Sequence, residues 1–298
     1  NTVNMKKAGF YIFYTINYLI TLLPLRVLYI FSDFFYLLIY YVFKYRRMVV
    51  AKNLRNSFPE MSEAELKRTE RRFYRHLTDL FVEALKLTHI SPQEISRRYR
   101  LKNISLLDRL YDEGRDVIAV CSHHTNWEWL SSVQLSIRYQ VLAIYKPLKN
   151  KDFDRFVYNL RTRFGSKISP MQSILRDIVT YRRENIRTIT AFAADQTPPP
   201  NEHAYWTTFL NQETGIYKGT EKVAVMMDSA VVFIHTRKVK RGYYELEAKL
   251  ISEHPKNDAP GFITQRHVEM LEETIRAQPE YWLWSHRRWK YKRNKNND

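Results

Sequence analysis

Nine consecutive residues, Cys121-Ser122-His123-His124-Thr125-Asn126-Trp127-Glu128-Trp129, carry most of the chain's candidate chemistry. They follow Val117-Ile118-Ala119-Val120, a short apolar run with the composition of a buried strand. Open α/β sheets place their ligands at the carboxyl ends of parallel strands, where this segment would lie. His123 and Glu128 are separated by four residues across a strand-to-helix turn. That spacing lets the carboxylate reach back to one imidazole nitrogen, fix the tautomer and leave the other nitrogen free as a base. His124 and Glu128 have i, i+4 spacing if the helix has already begun, so geometry alone leaves open which histidine is the base. The plain alternative is a pair of satisfied core histidines. Cys121 with His123 would give a covalent Cys–His enzyme, although such a cysteine more often fills space. A metal site built from Cys121, His123, His124 and Glu128 matches no standard ligand spacing.

The elements around this segment must bring it to a sheet edge. Further β-type runs occur at 142–145 and 188–194, separated by helical stretches near 126–136, 152–164 and 171–184. Two late runs, 231–236 and 243–251, flank Arg241-Gly242 and read as an antiparallel hairpin, and a helix follows over about 262–277. The pattern predicts an α/β fold: a mostly parallel central sheet flanked by helices, with antiparallel additions at one edge. Ser62-Glu63-Ala64-Glu65 is a capping box opening a helix with Leu66, Phe73, Leu77, Leu80, Phe81 and Leu85 on its apolar face. Lys67, Arg68, Arg71, Arg72 and Arg75 make its other side basic, which suits either solvent or a membrane surface. Lys146 follows a strand, where a lysine supplies a point charge. Asp195 and Gln196, also at a strand end, would order the loop, and Asp195 could equally cap a helix. Asn126 is a further candidate for binding substrate. Lys218, before Gly219, would meet an acidic headgroup or simply face water.

The 298 residues carry 48 Lys and Arg against 31 acids, a net charge of +17, so an anionic partner is expected. With 45% apolar residues the chain is not disordered, and one cysteine excludes disulfide scaffolds and multi-cysteine metal motifs. Residues 1–4 precede the first methionine and are set aside. Residues 9–25 contain no charge, and a second apolar run over 27–43 is broken only by Asp33. Lys6 and Lys7 precede these runs; Lys44, Arg46 and Arg47 follow them. Residues 1–46 therefore read as membrane-associated helices, an interfacial or shallow re-entrant hairpin, with a tilted span or buried core helices as alternatives. Residues 47–298 read as one catalytic domain. Its tail joins Trp282, Trp284 and Trp289 to Arg287, Arg288, Lys290, Lys292, Arg293 and Lys295. It suits an anionic leaflet or an acidic carrier protein, unless the indoles pack inward. A non-catalytic nucleic-acid-binding protein is the reading from a different class, and the uncharged aromatic N-terminus argues against it.

His-x4-Glu with Asn126-Trp127 before the acid resembles the signature of the lysophospholipid acyltransferase superfamily. Within it, the chain is similar to the lipid A biosynthesis (lauroyl/myristoyl) acyltransferases of Gram-negative bacteria. Their H-x-G-N-W-E pattern aligns with His123 and Glu128, but Thr125 stands where glycine is usual. Residues 47–60, with Asn53-Leu54 and Ser57-Phe58-Pro59-Glu60, resemble the family's basic leader. Tyr145-Lys146-Pro147-Leu148 resembles its Y-R-P-L block with lysine for arginine. Ala194-Asp195-Gln196 matches an A-D-Q block, and Phe209 and Thr214-Gly215 match F-F-G and T-G segments. The run from Pro279-Glu280 to Trp289-Lys290 resembles its closing motif. The resemblance implies O-acyl transfer at the cytoplasmic face of the inner membrane, with His123 as base, Glu128 as its partner, Lys146 at the oxyanion or an acceptor phosphate, and Asp195 and Gln196 at acceptor hydroxyls. The donor would be a thioester of acyl carrier protein or coenzyme A, the acceptor a lipid A precursor, and no other cofactor would be needed. A lysophospholipid or aminolipid is the alternative acceptor.

Overall fold

The computed structural model describes residues 2–198 and 204–293; side chains are described from residue 7 onward, and Lys295 of the basic tail lies outside these limits. The first helices are α1 (Thr2–Leu22), which includes residues 2–4, and α2 (Leu25–Leu37). Pro24 breaks the pair, and a π-helical turn, Leu38–Val42, prolongs α2. Helices α3 (Arg47–Ser57), α4 (Glu63–Lys86) and α5 (Pro92–Arg98) lead into strand β1 (Tyr99–Leu101) and helix α6 (Ile104–Asp112). Then follow β2 (Val117–Cys121), a 3-10 helix Glu128–Leu135, β3 (Gln140–Tyr145), α7 (Lys151–Thr162), β4 (Lys167–Pro170), α8 (Ile174–Arg183) and β5 (Thr188–Ala193). A small hairpin of β6 (Tyr205–Phe209) and β7 (Gln212–Ile216) stands apart from the main sheet. Helix α9 (Gly219–Met227), the long strands β8 (Ala230–Lys240) and β9 (Tyr243–Ser252), and α10 (Phe262–Ala277) complete the domain.

The seven-stranded sheet has the order β1-β9-β8-β2-β5-β3-β4. Strands β8, β2, β5, β3 and β4 are mutually parallel, while β9 turns back against β8 and β1 joins it at the edge. This is the expected mostly parallel sheet with antiparallel additions on one side. Strand β2 sits at its centre and is buried on both faces: Ile118 and Val120 enter one core, Val117, Ala119 and Cys121 the other. Both neighbours of β2 run parallel to it, so their carboxyl ends emerge together.

Helix α4 opens with the anticipated capping box, Ser62 and Glu65 exchanging hydrogen bonds. Helix α2 lies antiparallel on α4, since Tyr29 meets Glu83, Ser32 meets Asp79 and Tyr36 meets Arg75. Leu25, Leu28, Tyr29, Tyr36 and Tyr40 are buried there, whereas Ile30, Phe31, Phe34 and Phe35 face outward. The N-terminal segment thus combines two of the sequence alternatives: one face is core, the other an uncovered apolar surface. The 18-residue stretch Leu25–Val42 also has the length and composition to cross a membrane, with a third of it buried in the protein.

Candidate active site

The loop after β2 leaves the sheet beside the loop after β5. Cys121 pairs with Ala193 in register, so His123 and Asp195, each two residues further on, are brought together. Asp195 Oδ1 lies 2.7 Å from His123 Nδ1, and Oδ2 accepts the His123 backbone N–H at 2.8 Å. The indole N–H of Trp282 also donates to Oδ2, at 2.8 Å. The carboxylate on the imidazole is therefore Asp195, and the expected reach-back of Glu128 does not occur. Glu128 begins the 3-10 helix and is held by Arg161 of α7 through two hydrogen bonds, at 2.8 and 3.1 Å, and by the Trp127 indole at 3.1 Å. The bidentate guanidinium fork takes both of its oxygens. Glu128 thus acts on His123 through its charge, and Trp127 lies edge-on to the imidazole with centroids 5.1 Å apart.

Nδ1–H donation to Asp195 leaves Nε2 as the basic nitrogen, accepting from the Gln196 amide at 3.2 Å. The His123 side chain is 17% exposed and Asp195 is buried. Burial disfavours the imidazolium, but the charge and hydrogen bond of Asp195, joined by the charge of Glu128, hold the His123 pKa above its ordinary value. Burial likewise opposes ionisation of Asp195, yet His123 and three donated hydrogen bonds pull its pKa down to about 2. The pair is a buried carboxylate gripping a base that opens toward solvent.

The two histidines differ in burial and in partners. His124 is buried, donates from Nε2 to the Gln278 carbonyl at 3.0 Å, and pairs by a backbone bridge with Trp282. Burial drops its pKa to about 4, so it stays neutral. Thr125 adopts φ +58°, which explains why glycine suits this position; a residue with a Cβ is strained there by roughly 1–2 kcal/mol. Its N–H donates to the Tyr281 carbonyl at 2.9 Å, and its own carbonyl accepts from His76 Nε2 at 3.2 Å. Cys121 faces an apolar cluster with its thiol pKa pushed up to about 12, so it supplies no thiolate. The cysteine, the two histidines and Glu128 do not converge on one point that could hold a metal.

The remaining candidates scatter. Gln196 is at the base. Asn126, expected to touch substrate, is fully buried and spent on Glu83 at 2.6 Å and the Trp129 N–H at 3.1 Å; it holds the loop. Lys146 is exposed at the end of β3, the same end of the sheet as His123. Lys218 lines a separate cleft with Tyr205 and Glu221. Trp282 and Arg161 are site residues that the sequence reading did not single out. Trp282 stood in the tail as a membrane anchor or packed indole, and it and Trp284 are buried. The spaced blocks meet on this tail: Asn53 donates to the carbonyls of Trp284 and His286, Phe58 packs against Trp284, and Trp289 donates to Thr214. Arg288 is buried too, donating to the Gly215 carbonyl, with its pKa lowered to about 10 by burial.

The fold is a mostly parallel α/β sheet that carries, at the carboxyl end of its central strand, an imidazole held by a buried carboxylate. The model of the bacterial lipid A biosynthesis acyltransferases matches residues 2–291, so the chain belongs to that family and is an acyltransferase of lipid A type. No curated protein matches it.

Proposed function

We propose that the enzyme moves a fatty acyl chain from the thioester of acyl carrier protein to a hydroxyl of a lipid A precursor, at the cytoplasmic face of the inner membrane. The observation that carries the mechanism is an imidazole whose Nδ1 is fixed by Asp195 and whose basic Nε2 meets only the Gln196 amide among the described residues. The acceptor hydroxyl displaces the Gln196 amide and gives its proton to Nε2 as its oxygen attacks the thioester carbonyl. The tetrahedral intermediate collapses by breaking the carbon–sulfur bond, and the imidazolium protonates the departing thiolate. No acyl-enzyme is required, because the thioester is already activated and both substrates are held together. Glu128 adds a second negative charge near the imidazolium, while Arg161 keeps it in place. Lys146 is free to meet an acceptor phosphate or the carrier protein.

Membrane association rests on the outward face of the N-terminal helices. Ile12, Leu19, Ile30, Phe34, Phe43 and Met48 are all more than half exposed. Arg26, Lys44 and Lys52 accompany them, the combination that favours an anionic interface. Purified enzyme in vesicles is expected to consume acyl carrier protein thioester only when acceptor is added, and to lose that turnover in His123→Ala. Full transfer by His123→Ala rules out the mechanism, and preference for a lysophospholipid in acceptor competition rules out the acceptor.

A further inference from the structure

Beside the catalytic loop, between α2, α4 and the β8–β9 turn, opens a cleft of about 970 Å³. Its lining includes four cations, Arg72, Arg75, Lys238 and Arg241, and three carboxylates, Asp33, Asp79 and Glu280. The carboxylates are unevenly used. Asp79 accepts from Arg241 at 2.6 Å, lies 3.5 Å from buried Lys238, and also takes the Ser32 hydroxyl. Asp33 is committed to the same Arg241 at 2.7 Å, and Glu280 reaches Arg72 only at 3.7 Å. Arg75 has no acidic partner among the described residues; its guanidinium lies 5.1 Å from the ring centroid of Tyr36. His76, neutral because burial and Lys238 lower its pKa, accepts from Lys238 and closes the floor against the Thr125 carbonyl. On the other rim stand exposed Phe34 and Leu37, part of the uncovered apolar face of α2.

A cationic wall meeting an apolar rim fits a molecule with a phosphate at one end and hydrocarbon at the other. Arginine forks match phosphate oxygens bidentately, and the α2 face continues the rim away from the cleft. We infer that this cleft binds the phosphate of a lipid headgroup, with Arg75 and Arg72 as its ligands and the chains leaving across Phe34 and Leu37. The site lies at the same end of the sheet as His123, because Lys238 is near the carboxyl end of β8, the parallel neighbour of β2. It goes beyond the acyl-transfer reading, and its test does not depend on turnover.

The test is calorimetric titration of the full chain in a neutral detergent with three probes: dihexanoyl phosphatidic acid, dihexanoyl phosphatidylcholine and inorganic phosphate. Phosphatidic acid is expected to bind at least tenfold more tightly than either of the others. The pair Arg72→Gln/Arg75→Gln is expected to weaken it at least tenfold. Lys67→Gln/Arg71→Gln removes the same charge from α4 outside the cleft and is expected to change it less than twofold. Arg75→Lys, which keeps the charge but not the fork, is expected to fall between, and guards against a fold defect in the double variant. Equal losses from the two pairs, or inorganic phosphate binding as tightly as the lipid, overturn the inference.

Discussion

Two buried carboxylates grip the nine-residue catalytic loop, and they behave oppositely. Asp195 holds His123 near the start of the loop; Glu83 holds Asn126 further along it, and takes the hydroxyls of Tyr29 and Tyr244 at 2.7 and 2.8 Å. Burial raises both pKa values in isolation. For Asp195 a titrating imidazole and three donors reverse the effect, and the pKa falls to about 2. For Glu83 burial wins: Lys238 and the tyrosine hydroxyls pull the other way, Asp79 adds repulsion, and the pKa stays above the usual carboxylate range. A buried acid hydrogen-bonded to a titrating imidazole stays ionised. One given only neutral donors is a strut, and it ties α2, α4 and β9 to the loop.

The sharpest way to break this contrast is at Asp195. Asp195→Asn is expected to cut kcat by roughly 10²–10⁴-fold, the range of a lost general base. The base must be neutral, so activity falls as pH drops through the His123 pKa, which lies above about 6.5. Removing the Asp195 charge lowers that pKa, and the acid limb of the pH–rate profile should move to lower pH. An unmoved limb refutes Asp195 as the orienting acid. Glu128→Gln should move the limb the same way but less, with about a tenfold loss in kcat, on the order expected from a charge acting without a hydrogen bond. A larger shift than Asp195→Asn would restore Glu128 as the principal partner.

The strut is tested by stability. Glu83→Ala strands three donors and should cost at least about 3 kcal/mol in chemical denaturation, given roughly 1–3 kcal/mol per unsatisfied buried group. Glu83→Gln, an isostere of the protonated acid, should stay within about 1 kcal/mol at low pH. Linkage gives a sign. The unfolded carboxyl ionises near 4.3 while the folded one keeps its proton to higher pH, so Glu83's contribution is full below 4.3 and declines as pH rises through the folded pKa. The Gln variant should lack that decline. Equal destabilisation by Gln and Ala would mean Glu83 is ionised. The smallest effect is expected at Thr125: Thr125→Gly relieves the left-handed strain but loosens the unfolded chain, so melting should change by less than about 1 kcal/mol with transfer retained.

Elements with strong local signals were legible. The capping box at Ser62, the hairpin around Arg241-Gly242 and the helix Phe262–Ala277 stand where periodicity and turn chemistry place them. β1, with three residues, and β4, with four, carry too little pattern to read; they are strands because β9 and β3 supply partners. The β6–β7 hairpin escaped because its two-residue turn uses Leu210 and Asn211, both at positive φ, instead of Asn-Gly. The motif located His123 but favoured the wrong acid as its hydrogen-bond partner, since five residues of sequence separation looked shorter than seventy-two. Asn126 was likewise read as facing substrate because nothing local announces Glu83.

The sequence by itself determined the class of fold and the family, because these reside in periodicity, composition and spaced motifs along the chain. Only the tertiary structure decided which carboxylate meets His123, which histidine is buried and neutral, and that Trp282 and Trp284 are core. Each of those follows from which strands become neighbours. Parallel pairing of β2 with β5 brings Asp195 to the imidazole, and the Trp282 bridge to His124 buries the tail, through contacts whose partners no local pattern names.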